Sequence, residues 1–176
     1  QKVLDIGCGQ GGLFDILNKK FKKIHYTGID FNQNMINVAK LNFPRAKFHY
    51  FKKDNYLKFF KKKFDVVIIF GILHLNPNWK KLLISASKVT KRAILFDHRI
   101  EYEKNLNKKF YLDLDFINKK KKYRINYFLL RRSEMEEFIK LKFTDFKYKE
   151  LAYNGYASKF SNIKKKITFS NIGLMK

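Results

Sequence analysis

The sequence predicts a doubly wound α/β domain: a mostly parallel, seven-stranded sheet with helices on both faces and an antiparallel strand pair at the C-terminal end. Three observations carry that expectation. Apolar runs of strand length alternate with segments of helical period from Val3 to Asp97, the pattern of successive βαβ units. The first run passes straight into glycines at every second position, Gly7, Gly9 and Gly11, where a side chain would block a tight turn or a close backbone approach. The last two strand candidates, Phe146 to Tyr153 and Ile167 to Leu174, are joined by Asn154-Gly155 and a polar stretch, as in an antiparallel pair.

Val3, Leu4 and Ile6 make the first strand apolar on both faces, as a covered parallel strand must be. Leu13, Ile16, Leu17 and Phe21 then fall on one helical stripe. Ile24 to Asp30 reads as a second strand ending in an acid, and Asn32 as the cap of a helix carrying Met35, Val38 and Ala39 at helical spacing. Ala46 to Phe51 alternates as a third strand that closes on Lys53-Asp54-Asn55, followed by a basic connection from Lys58 to Lys63. Phe64 to Phe70, β-branched from Val66 to Ile69, is the central strand. Asn76-Pro77 predicts a helix start, with Trp79, Leu82, Leu83 and Ala86 buried behind it. Ala93 to Asp97 is the fifth strand. The period is lost after His98, and residues 99–132 read as an insertion or lid. Ser133-Glu134-Met135-Glu136 is a capping box that opens a fourth helix.

Composition narrows the class. At 176 residues the chain is one domain, 1–176, and the strand signal begins so soon after Gln1 that a leading helix is expected to be missing. Hydrophobic residues at 45% exclude a disordered chain. No apolar run approaches the roughly 20 residues of a membrane helix, and the single cysteine, Cys8, excludes an internal disulfide, so a cytoplasmic setting without a membrane span is expected. The net charge of +24 raises a nucleic-acid partner. Only six of the 39 basic residues are Arg, however, and the lysines lie in short dispersed runs, so a solvated lysine-rich surface is the favoured reading. No metal cluster is read from the sequence, and it leaves the oligomeric state open.

Strand, glycine turn and helix form a nucleotide-binding corner. Gly7, Gly9 and Gly12 satisfy G-x-G-x-x-G and Asp30 lies near the spacing of a ribose-binding acid, so a NAD-dependent oxidoreductase is one reading. Asp5, two residues before the first glycine, argues against it, because a carboxylate there would repel a pyrophosphate. Such an acid suits a cationic ligand.

Val3-Leu4-Asp5-Ile6-Gly7-Cys8-Gly9-Gln10-Gly11 resembles the cofactor signature of the class I S-adenosylmethionine-dependent methyltransferases. Gly28-Ile29-Asp30-Phe31, with Met35 and Ala39, is similar to their second motif, which implies that Asp30 holds the ribose hydroxyls. The resemblance further implies that Asp54 and Asn55 meet the adenine amino group. It also places Phe70-Gly71-Ile72-Leu73-His74-Leu75 beside the methionine part and the transferring methyl. The implied cofactor is S-adenosyl-L-methionine, its binding residues Asp5, Gly7, Cys8, Gly9, Gly11, Asp30, Phe31, Met35, Asp54, Asn55, Phe70 and Gly71.

A sulfonium is already an activated methyl donor, so alignment and exclusion of water are the main tasks of such an enzyme. His74 and His98 are the candidate bases for a hydroxyl acceptor, and Asp97 closes a strand where such sheets place ligands. The segment after strand four lacks an Asn/Asp-Pro-Pro-aromatic motif, which turns the reading from base amino-group methylation toward a small or medium-sized acceptor, with oxygen slightly favoured. A non-catalytic subunit that keeps the fold for binding is the remaining alternative.

Overall fold

The computed structural model describes residues 1–52, 57, 60–61, 63–101, 110–113, 124–159, 161–163 and 165–176. The first half alternates as expected: β1 (Lys2–Ile6), α1 (Gly12–Lys20), β2 (His25–Asp30), α2 (Gln33–Asn42), β3 (Lys47–Tyr50), β4 (Phe64–Ile69), α3 (Trp79–Val89) and β5 (Thr90–Glu101). The second half adds β6 (Phe110–Asp113), β7 (Arg124–Tyr127), β8 (Leu130–Arg131), α4 (Arg132–Lys142), β9 (Lys147–Tyr156) and β10 (Lys166–Met175).

Seven strands lie side by side in the order β3-β2-β1-β4-β5-β10-β9. Neighbours from β3 to β5 run parallel, and β10 runs antiparallel to both β5 and β9. An eighth, two-residue strand, β8, pairs with Ile100 and Glu101. Thr168 of β10 holds the other edge of Ile100, so β8 continues the sheet where β4 has ended. The chain reverses direction of growth between β1 and β4, which makes their C-terminal ends the switch point where such sheets bind ligands.

Alternation sends neighbouring residues of each strand to opposite faces. Leu4, Ile6, Ile29, Val67, Ile69, Ile94 and Phe96 meet Leu83 and Ala86 of α3 and Met135, Phe138 and Ile139 of α4. Val3, Tyr26, Phe48 and Ile68 meet Phe14 of α1 and Ile36 and Ala39 of α2. Trp79 and Met135 are buried, as expected. A third cluster, Tyr127, Leu129, Ile163 and Ile167, fastens the β6–β7 ribbon through Leu75, Phe110, Leu112 and Phe169.

Three local expectations are corrected. On α1, Leu13 and Leu17 of the expected stripe pack against the core, but the buried residue is Phe14, wedged between the rings of Tyr26 and Phe43 at 5.2 and 5.4 Å, and Ile16 and Phe21 are 55% and 51% exposed. Helix α3 begins at Trp79, and Asn76 instead accepts from Asn78 N at 2.9 Å, closing a turn ahead of the helix. Helix α4 begins at Arg132, so Ser133 lies inside it and caps nothing; Arg132 bridges Glu136 at 2.9 Å and Glu150 at 2.6 Å. Within 99–132 the described residues carry strand structure: β5 runs on to Glu101, paired with β10 as far as Ile100 and with β8 at Glu101, and β6 and β7 form an antiparallel ribbon.

Asn32 does cap α2, accepting from Asn34 N at 3.0 Å and Met35 N at 3.3 Å. Replacing it with Ala is expected to cost about 1 kcal/mol of stability, read from chemical denaturation.

Candidate active site

The three glycines after β1 all adopt φ > 0, at 82° for Gly7, 52° for Gly9 and 86° for Gly11. Their surroundings differ. A Cβ on Gly7 would lie 2.6 Å from Cγ2 of Ile72, and one on Gly11 would lie 2.9 Å from the rings of Phe43 and Phe48. A Cβ on Gly9 meets no atom within 4 Å. Gly7 and Gly11 therefore let the turn pack against the core, whereas Gly9 leaves open space above it.

Asp30 ends β2 and braces this turn. Its Oδ2 accepts from Gly9 N at 2.9 Å, and its Oδ1 accepts from Asn32 N at 2.8 Å. A carboxylate has about four acceptor positions, so two remain for hydroxyls of a ligand. Ile6, Gly7, Ile29, Asp30, Phe31, Phe51 and Ile72 line a small cleft of about 40 Å³ here. Phe31 stands 75% exposed at its mouth, Met35 of α2 is 37% exposed, and Phe70, after β4, is 39% exposed. Gly71, also at positive φ with open space at its Cβ position, donates its N–H to Asp97 Oδ1 at 2.6 Å.

Asp5 is not at the cleft surface. It is 3% exposed and accepts from the Tyr26 hydroxyl beneath the turn. Burial, opposed by the Tyr26 bond and assisted by the charge of Asp30, pushes its carboxyl up to about 6. Cys8 is corrected in the same sense: its side chain is in the core against Gly28, and burial pushes the thiol up. Only the backbone of Cys8 belongs to the turn. Asp54 and Asn55 lie outside the described residues.

The two histidines separate. His74 sits in the 3-10 turn Leu73–Leu75 after β4, 6% exposed, with its ring 4.8 Å from that of Tyr127 and its Nδ1 without a partner. Burial, with help from Arg99, holds its imidazole down to about 4. Arg99, missed in the sequence, pairs with Asp97 at 2.8 Å and lies 4.3 Å over the ring of Phe169. Had β5 been read to Glu101, Asp97 and Arg99 would have been visible as a same-face pair.

His98 falls between them on β5 and so points to the opposite face. It is 1% exposed, and the charge of Glu150 is the strongest charge it feels. Neither ring nitrogen has a partner, and burial holds the imidazole down to about 4. The expectation of His98 as a base is therefore corrected to a core position. Its folded-state value lies below the ordinary 6.5, so the unfolded chain holds an extra proton between pH 6.5 and about 4: the pH-dependent penalty is absent above 6.5, and stability falls as pH drops toward 4. His98→Phe is expected to raise stability by about 1 to 3 kcal/mol at pH 7 and by more at pH 4, measured by denaturation at both values.

A family model described as a methyltransferase domain matches residues 1–153, and the chain belongs to that family. A fatty-acid O-methyltransferase of Mycolicibacterium smegmatis is 32% identical over 107 residues, covering 58% of this chain and 39% of the relative. A malonyl-[acyl-carrier protein] O-methyltransferase of Bacillus cereus is 38% identical over 50 residues, 27% of this chain and 19% of the relative. The chain thus spans well under half the length of these curated relatives. Magnesium protoporphyrin IX methyltransferase from Synechocystis PCC 6803, solved with its bound methyl donor, shares the fold at TM-score 0.61 and 14% identity, covering 99% of this chain and 69% of that one.

Proposed function

We propose that this chain is an S-adenosyl-L-methionine-dependent methyltransferase that alkylates an oxygen of a small or medium-sized acceptor. The observation that carries the proposal is the open turn at Gly9, held by the Asp30 carboxylate, which fits the adenosine end of that cofactor. When bound, the cofactor supplies a sulfonium methyl. In this reading Gly7, Gly9, Gly11 and the backbone of Cys8 shape the turn, and Asp30 receives the ribose hydroxyls. Phe31 and Met35 cover the purine, with Asp54 and Asn55 at its amino edge. Phe70 and Gly71 flank the methionine part. Asp5, with Asp30, supplies the negative field that favours a cation and disfavours a pyrophosphate, which sets NAD below this choice.

The acceptor oxygen attacks the methyl carbon while the carbon–sulfur bond breaks, its electron pair staying on sulfur. A carboxylate acceptor releases no proton; a hydroxyl releases one, and in this reading neutral His74 receives it. Names of the curated relatives, which speak of fatty-acid and malonyl-acyl-carrier O-methylation, support an acyl-type acceptor. The reading also includes one domain over 1–176, with the 99–132 segment as part of the acceptor side, and a cytoplasmic setting, supported by the lone thiol of Cys8. No helix of the described residues is long and apolar enough to cross a membrane.

Methyl incorporation from labelled donor across a panel of fatty acids, acyl thioesters and phenols tests the proposal; no transfer to any oxygen acceptor, together with NAD binding in calorimetry, overturns it. His74→Gln is expected to slow hydroxyl acceptors about tenfold, below the usual range for a base because the donor is already activated, and to leave carboxylate acceptors unchanged.

A further inference from the structure

A larger cavity, about 540 Å³, opens at the other end of the sheet. Lys2, His25, Lys47 and Phe64, which line it, are the first residues of β1, β2, β3 and β4. The strands rise about 3.3 Å per residue, so this mouth lies about 15 Å from the glycine turn. Its wall also holds Arg45, His49, Lys63, Asn18 and Thr27, and its apolar floor is made by Phe14, Tyr26 and Phe60. Among the described lining residues four permanent cations, Lys2, Arg45, Lys47 and Lys63, face one space, and none is Asp or Glu. One of the six arginines of the chain is spent here.

We propose that this cavity is a second binding site, for a nucleoside phosphate, whose phosphates meet Lys2, Arg45, Lys47 and Lys63 and whose base lies against the exposed His25 and His49 rings. The physical reasons are charge and shape. Anions collect where like charges converge on a concave, low-dielectric wall, and the volume is that of a typical small-ligand pocket. Arginine offers phosphate a planar fork and lysine a point charge. The depressed imidazole of His49, lowered by burial and then by Lys40 and Lys47, reports the same positive field. A neutral imidazole is the form that stacks on a base without adding charge. The apolar floor gives the ring system a surface that a bare phosphate would not need.

Calorimetry on the whole chain saturated with S-adenosylhomocysteine tests this, because the cleft above the glycine turn is then filled and binding there cannot be mistaken for binding here. The probes are ATP, inorganic phosphate and a single-stranded RNA of ten nucleotides, at about 0.15 M salt. ATP is expected to bind, phosphate to bind at least about tenfold more weakly, and R45E/K47E to weaken ATP by at least about tenfold. K140E/K142E on α4 removes the same net charge from exposed positions and is expected to leave ATP affinity within about twofold. S-adenosylhomocysteine affinity should be equal in all three proteins. RNA that binds more tightly than ATP and loses as much in R45E/K47E identifies a nucleotide within a strand as the source; RNA no tighter than ATP identifies the free nucleotide. Absence of ATP binding, phosphate binding as tightly as ATP, or an equal loss in both variants overturns the proposal, with the methyl-transfer reading untouched.

Discussion

Gly9→Val is expected to abolish S-adenosylhomocysteine binding while leaving a folded chain. A Cβ at Gly9 meets no atom beyond its chain neighbours within 4 Å, so a valine there projects into the open region above the turn rather than into the core. A β-branched residue at φ 52° is strained, at about 1 to 3 kcal/mol, which a domain of this size can absorb. Gly7→Ala provides the contrast. Its added methyl meets Ile72 at 2.6 Å, at a φ of 82°, so it acts on packing and is expected to lower the unfolding midpoint before it alters any binding constant. Titration of each variant, alongside thermal unfolding, separates the two. Gly9→Val that binds as tightly as the parent removes the open turn from the site.

Asp30→Ala is expected to weaken S-adenosylhomocysteine at least about tenfold, since charge-assisted bonds to two hydroxyls are the stronger kind. The structure adds a second route to the same loss. The carboxylate also accepts from Gly9 N and Asn32 N, so its removal frees the turn and the start of α2 together. Asp30→Asn keeps an acceptor oxygen for one of the two amides and is expected to fall between parent and Ala. Calorimetry decides; unchanged affinity in a folded Asp30→Ala chain excludes Asp30 from ligand contact.

Legibility in the sequence followed how local each cause is. The glycine turn, the acid closing β2 and the cap at Asn32 each rest on interactions spanning a few residues or on backbone angles, and all three appear where expected. Element ends were read less well where a distant partner sets them. Strand β5 extends past His98 because β10, some 70 residues on, pairs with it as far as Ile100 and β8 pairs with Ile100 and Glu101, and those pairings leave no mark in the local sequence. On α1 only half of the stripe faces inward: Leu13 and Leu17 pack against the core, while Tyr26 and Phe43 draw Phe14 inward in place of Ile16 and Phe21.

The candidate site divides the same way. Residue order and type were enough for the βαβ alternation, for the glycine corner and for an acid able to meet a ligand's hydroxyls, because backbone stereochemistry and hydrophobic period act over short stretches. Whether a given side chain at that corner faces ligand or core was a matter of packing. Asp5 turned under the loop to Tyr26, Cys8 turned into the core, and His98 turned away while Arg99 and His74 came together beside Tyr127. Each of those outcomes depends on which strand lies alongside and which helix covers it, and a polar group enclosed by such neighbours takes its ionisation from their burial and charge rather than from its own position in the chain.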